Sequence, residues 1–305
     1  MIEDEALAFT GERFTPECTR EIWYEHWHRY VFAREVSVGK RVLDAACGEG
    51  YGSALLADVA TDVVGVDIDP GSIEHARTRY ASIPRLRYEC ADATALPFAD
   101  QAFDLVVSFE TLEHLTAQEQ LLAGFARVLA DDGLLLISSP DKRTYSELAG
   151  FHNEFHVREL YREELLDLLK PHFPHVRLYA QKLVFQSALW ALDSSGGRAQ
   201  VATATEQGRS TTPGFDYEPM YYLAVCSRHP LPDNFPAVSL FGDREESVYT
   251  HYNHEIRKNM SSGARIAELE AEVERLRGRA SVPSVQNNAP RRRDWRWWRR
   301  NRSTE

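Results

Sequence analysis

From residue 40 onward the chain alternates short apolar runs with amphipathic stretches. Apolar runs at 41–44, 62–67, 86–90, 103–109 and 134–138 read as five strands, and residues 51–60, 71–80 and 117–129 carry apolar side chains at helical spacing between them. Strands that are apolar almost throughout, separated by amphipathic helices, predict a parallel sheet covered on both faces. Ahead of this pattern, residues 21–36 form an expected helix with Ile22, Trp23, Trp27, Tyr30, Val31 and Phe32 mostly on one side. Aromatic stripes usually pack into cores, which makes this helix a cover on the sheet. The competing reading is a lid, with Arg13, His26 or His28 facing a ligand.

After Pro140 the pattern loosens into a polar loop to about Phe155, followed by an expected helix over 158–169 and an alternating strand over 175–181. Residues 188–216 are rich in Ser, Gly, Thr and Ala and read as an insertion. Residues 220–227 supply a last strand, expected antiparallel to its neighbours. The predicted organisation is a lead-in or lid helix over 1–37, a domain over 38–228, a linker over 229–252, a short helix over 253–280 and a basic tail over 281–305. In the fourth segment Ile266, Leu269, Val273 and Leu276 form a coiled-coil-like seam, too short to be stable without a partner or the body of the protein, and self-association through 264–279 is one expectation.

Composition narrows the function classes. At 305 residues, 43% hydrophobic and 27% charged, the chain is an ordinary globular protein, and its net charge of -11 argues against nucleic acid as a partner. The exception is the tail, where residues 291–305 carry seven Arg and three of the chain's six Trp. Cys18, Cys47, Cys90 and Cys226 lack metal-ligand spacing and read as reduced thiols. The acidic start has no apolar signal region, and no apolar run approaches the roughly 18–20 residues of a membrane span. A cytoplasmic protein is therefore expected.

Candidate chemistry lies at the expected strand ends. Val42-Leu43-Asp44 runs into Ala45-Ala46-Cys47-Gly48-Glu49-Gly50, an acid followed by a glycine turn into a helix, where open α/β sheets bind nucleotides. Gly48 and Gly50 let the backbone approach a ligand, and Asp44 can accept hydrogen bonds from an ammonium group. Asp67 ends the second strand at the interval expected for an acid gripping ribose hydroxyls. Asp92 follows the third strand, placed to accept from an exocyclic amine while the Ala93 N–H donates to a ring nitrogen. Glu110-Thr111-Leu112-Glu113-His114 follows the fourth.

At these residues the sequence resembles the class I S-adenosylmethionine-dependent methyltransferases, particularly their broad small-molecule branch, over roughly residues 38–140. The resemblance implies a Rossmann-like α/β fold with a seven-stranded, mostly parallel sheet and helices on both faces. It implies that Asp44, Gly48 and Gly50, with Ala46, hold the methionine moiety of S-adenosylmethionine. Asp67 would hold ribose, Asp92 and Ala93 adenine, and Ile68 and Phe109 complete the cofactor set. Ala46 stands where the family usually has a glycine, which costs little if its φ is negative. A nicotinamide nucleotide is the rival ligand, but that reading wants Gly-x-Gly-x-x-Gly and Ser53 occupies the last position. Gly11-Glu12-Arg13-Phe14 and the stretch from His152 to Leu160 also look like a subgroup of bacterial methyltransferases associated with surface-polysaccharide assembly.

Methyl transfer is an in-line displacement at a sulfonium carbon, and a hydroxyl acceptor needs a base. His114, His152 and His156 are the candidates, against the plainer possibility of a helix-start histidine bonded to backbone. Glu110 and Glu113 could bind a divalent metal with a histidine, but no tight ligand motif supports this and no metal requirement is expected. The expected activity is O-methylation of a glycan or glycolipid intermediate. The rivals are methylation of a small metabolite or quinone-like lipid, and a cofactor-binding scaffold that recruits partners through the seam and tail. The Arg/Trp tail, residues 291–302, is expected to touch anionic membrane at the inner-membrane face.

Overall fold

The computed structural model of the chain describes residues 21–189, 200–205 and 210–280. Expectations for Arg13, Cys18 and the basic tail lie outside these residues. The chain divides into two compact units between Glu245 and Glu246.

The first unit opens with helix α1 (Glu21–Val36), then β1 (Arg41–Ala45), α2 (Tyr51–Ala57), β2 (Asp62–Asp67), α3 (Pro70–Arg79), β3 (Leu86–Cys90) and β4 (Phe103–Ser108). After β4 come a short 3-10 turn (Leu112–His114), α4 (Gln118–Val128), β5 (Leu129–Pro140), α5 (Arg162–Leu169) and β6 (His175–Gln181). A hairpin of β7 (Ala202–Thr205) and β8 (Ser210–Pro213) precedes β9 (Tyr221–Ser227). Seven strands form one sheet in the order β3-β2-β1-β4-β5-β9-β6. The first five are parallel, and β9 runs antiparallel between β5 and β6. The seven-stranded, mostly parallel α/β fold is as expected.

The apolar runs explain the layering. Successive strand residues face opposite sides, and the two sides belong to different clusters. Leu43, Val64, Val106, Leu135, Ile137, Ala224 and Cys226 face one side and pack with Leu121, Leu122 and Phe125 of α4 and Leu165 and Leu169 of α5. Val42, Val63, Leu105, Val107, Leu134, Leu136, Leu223 and Val225 face the other and pack with Tyr30, Phe32 and Ala33 of α1 and Leu56 of α2. Two apolar faces leave no polar side to the strands, which is why they read as continuous runs. Helix α1 therefore serves as a core cover. His28 stacks on Phe241 and its Nε2 lies 2.9 Å from Ser239 Oγ, so this ring faces the 239–241 segment.

Several boundaries differ from expectation for local reasons. The helix expected to begin at Arg158 begins at Arg162, because Leu160 bridges to Asp141 and Glu164 caps the Tyr161 N–H at 3.0 Å. Strand β5 starts at Leu129 rather than Leu134, since Leu129 pairs with Phe103 across a register shift. The loop after β5 contains a helical turn over Arg143–Glu147, and the insertion contains the β7–β8 hairpin. In the second unit, helix α6 (Ser247–Ala280) begins inside the stretch read as linker. Ile266, Leu269, Val273 and Leu276 are exposed along it.

Candidate active site

Strand β1 delivers Asp44 to the carboxyl edge of the sheet, and the chain then turns sharply into α2. Ala46, Gly48 and Gly50 all take left-handed backbone, with φ of 61°, 57° and 92°. At Gly50 a Cβ would lie 2.6 Å from the Tyr88 hydroxyl, which donates to the Gly50 carbonyl at 2.7 Å. The negative φ expected at Ala46 is therefore wrong. An L-residue in this region costs about 1–2 kcal/mol because Cβ crowds the following carbonyl. The glycine the family usually places there removes that crowding.

Asp44 has no exposed surface. Its carboxylate accepts from Tyr30 Oη at 3.0 Å and from Ser53 Oγ at 2.6 Å. Burial pushes its pKa up to about 6, opposed by the two hydroxyl donors and aided by the charge of Asp67. The Asp44 carboxylate thus lies beneath the glycine turn, held by two hydroxyl donors of the chain. Asp67, at the end of β2, accepts from Gly48 N and Asp69 N, each at 2.9 Å, so the carboxylate is fixed against the glycine turn. Ile68 beside it is 69% exposed, unusual for an apolar side chain at a strand end. Asp92 is exposed and caps the turn beginning at Ala93 by accepting from Thr94 N at 2.8 Å. Phe109 is buried edge-on to Tyr30.

A second group gathers after β4. Glu110 has a left-handed backbone (φ 50°), accepts from Ser138 Oγ at 2.7 Å and lies 3.4 Å from Nη1 of the buried Arg29. Burial pushes the nearby Glu25 carboxyl up to about 7, against the opposing pull of Arg29. Arg29 also donates to Gln181 at 2.7 Å and covers the Tyr221 ring, so α1 is tied to β6 and β9. Glu113, His114 and His156 come together, with His114 and His156 ring centroids 4.9 Å apart. Tyr145 stacks on His156 at 5.2 Å. His152 is exposed in the same loop and lies outside this group.

The expected cofactor residues Asp44, Ala46, Gly48, Gly50, Asp67, Ile68, Asp92 and Ala93 thus line consecutive turns at one edge of the sheet. Sequence reasoning missed Tyr30, Ser53, Arg29 and Glu25. Tyr30 was visible only as one ring of an aromatic stripe, and Ser53 only as a failed glycine position. A groove of about 490 Å³ lies by β6 and β9, lined among others by Asp141, Arg143, Tyr161, Glu218 and Tyr222. It lacks the acid-and-glycine set and is not the nucleotide pocket.

The fold and this strand-end set define a nucleotide-binding α/β domain. Residues 43–137 match the family described as a methyltransferase domain. The chain is 40% identical over 168 residues to a probable S-adenosylmethionine-dependent methyltransferase of Mycolicibacterium smegmatis, covering 54% of this chain and 64% of that protein. A probable S-adenosylmethionine-dependent methyltransferase of Mycobacterium tuberculosis is 40% identical over 166 residues, covering 53% and 60%. A demethylmenaquinone methyltransferase of Renibacterium salmoninarum is 33% identical over 135 residues, covering 44% and 56%. The chain thus spans less than two thirds of the length of these curated relatives.

Replacing Ala46 with glycine relieves the left-handed strain. We expect Ala46→Gly to stabilise the protein by about 1 kcal/mol in urea denaturation. A loss of stability would show that the strain is not carried by the Ala46 Cβ.

Proposed function

We propose that the protein is an S-adenosylmethionine-dependent O-methyltransferase acting on a glycan or glycolipid intermediate of bacterial surface-polysaccharide assembly. The observation that carries the methyl-transfer reading is the Asp67 carboxylate fixed against Gly48 above the buried Asp44, inside a methyltransferase domain. The residues fit the cofactor: the left-handed Gly48 and Gly50 open the turn to the methionine moiety, and the exposed Ile68 offers an apolar shelf for adenine between Asp67 and Asp92. When bound, S-adenosylmethionine supplies an electrophilic methyl group on a sulfonium sulfur.

The chain's own residues then have two tasks. The first is to hold an acceptor oxygen in line, an orientation effect that can be worth about 7–11 kcal/mol. The second is to ease proton loss from that oxygen, worth about 10²–10⁴-fold. We assign the second task to His114 and His156. His114 Nδ1 is 3.0 Å from the Phe155 carbonyl and so carries the proton, leaving Nε2 with its lone pair. His152, exposed in the same loop, is assigned to acceptor contact. The glycan reading is supported by the polar and aromatic groove at β6 and β9, which suits sugar hydroxyls and ring faces. A second reading, methylation of a quinone-like lipid, is supported by the Renibacterium relative.

Among the described residues no helix is long and apolar enough to cross a membrane. We further propose that the exposed α6 seam self-associates and that residues 291–302 contact anionic lipid at the inner membrane.

Incubation with S-adenosylmethionine and candidate glycans or quinols, read by product mass, tests the activity and separates the two acceptors; no methylated product from either class would overturn both. We expect Asp67→Ala to weaken S-adenosylhomocysteine binding at least about tenfold by calorimetry. Equal affinity would remove Asp67 from the pocket. His114→Ala should lower turnover about 10²-fold while leaving that affinity nearly unchanged. Ionised Asp44 attracts the ligand's ammonium group and the protonated acid does not. Affinity should therefore rise as pH increases through about 6, and Asp44→Asn should flatten this rise. A pH profile identical in wild type and variant would detach Asp44 from the ligand.

A further inference from the structure

Glu113, on the short turn after β4, is 1% exposed, and neither of its carboxylate oxygens has a hydrogen-bond partner. An ionised carboxylate buried without donors is costly, and such groups are normally paired or coordinate a metal.

Two imidazoles face this carboxylate. Glu113, His114 and His156 each offer a ligand atom, and the three atoms lie within 4.8 Å of one another. His114 Nδ1 is engaged by the Phe155 carbonyl at 3.0 Å and His156 Nδ1 by Glu159 Oε1 at 2.6 Å. Each ring therefore donates from Nδ1, which makes Nε2 the nitrogen able to ligate an ion. Metal-ligating histidines are oriented in this way, by a carbonyl or carboxylate behind the ring. His114 Nε2 is 3.9 Å from Glu113 Oε1, a distance that an ion between them bridges. The loop bearing His156 is clamped to the turn bearing Glu113, because Val157 N and Arg158 N both donate to the Glu113 carbonyl, at 2.8 and 2.9 Å. The site is thus held together by backbone, independently of any ion.

We propose that Glu113, His114 and His156 bind a divalent first-row transition-metal ion. Two imidazoles and one carboxylate suit zinc, manganese, iron or cobalt better than magnesium or calcium, which prefer oxygen ligands throughout. Three protein ligands leave coordination positions open, the arrangement of catalytic rather than structural sites. On the methyl-transfer reading, on which this role rests, those positions would take the acceptor's hydroxyl oxygen, and the ion would acidify that hydroxyl so that its proton leaves to solvent; the two histidines then act by holding the ion, in place of a direct base. This runs against the expectation of no metal requirement, because the spacing from residue 114 to residue 156 hides the third ligand.

The test is titration of chelator-stripped full-length protein with Co2+, read by visible ligand-field absorption and calorimetry. We expect one Co2+ per chain, displaced by Zn2+, with affinity falling at least about tenfold in Glu113→Gln and in His156→Ala. His229→Ala, whose exposed ring pairs with Asp131 at the start of β5, should bind Co2+ as the wild type does. Metal-free Glu113→Gln should melt close to metal-free wild type, since the amide has the shape of the protonated carboxyl and leaves the backbone clamp at the Glu113 carbonyl in place; a large fall would mean a structural role and overturn the proposal. No stoichiometric Co2+ binding, or binding indifferent to both ligand variants, would also overturn it. S-adenosylhomocysteine binding on the same samples distinguishes the two readings. Its retention without Co2+ binding removes only the cation site, and Co2+ binding without it keeps the site and removes the methyl-transfer role.

Discussion

The Asp44 carboxylate has no exposed surface, yet it stands near the end of β1, an interior strand, where the chain must turn. Burying that group requires donors, and the fold supplies them from two directions: the Tyr30 hydroxyl from α1 and the Ser53 hydroxyl from the first turns of α2. Meeting that requirement fixes how α1 lies on the sheet and where α2 begins. It also places the Gly48–Gly50 turn directly above a negative charge, against which Asp67 is locked through the Gly48 N–H. The shape of this strand-end turn is a consequence of how one acid is accommodated.

The group after β4 is built on a related problem. Glu110 and Glu113 follow β4 and Glu25 approaches from α1, with the buried Arg29 as their permanent cation. Arg29 lies 3.4 Å from Glu110, while Glu113 has no donor of its own. Strain gathers at the same edge, since Ala46 after β1 and Glu110 after β4 are both non-glycine residues with positive φ. Backbone held in sparsely populated conformations is commonly found at functional sites, where surrounding structure over-determines it.

Much of this was legible in the sequence because the interior strands are buried on both faces. The run at 62–67 coincides with β2, and those at 86–90 and 175–181 with the half-buried edge strands β3 and β6. The acids at strand ends were legible for the same reason, as charged residues terminating apolar runs. Contacts between elements were not. Nothing local marks Tyr30 as the donor to Asp44, and Ser53 counted only as a departure from a dinucleotide pattern. The sign of φ at Ala46 is set by the turn that carries the chain over Asp44, not by alanine's own preference. His156 reaches Glu113 because two backbone N–H groups of its loop find one carbonyl, a pairing that residue spacing does not announce.

The central claim is that the edge formed by the ends of β1, β2 and β3 is the S-adenosylmethionine pocket. Hydrogen–deuterium exchange of the full chain with and without S-adenosylhomocysteine reads that edge directly. The account predicts slowed exchange concentrated at the amides of residues 46–52, 67–69 and 92–95, with the groove at β6 and β9 unaffected. Protection confined to that groove, or no protection at saturating ligand, would contradict it.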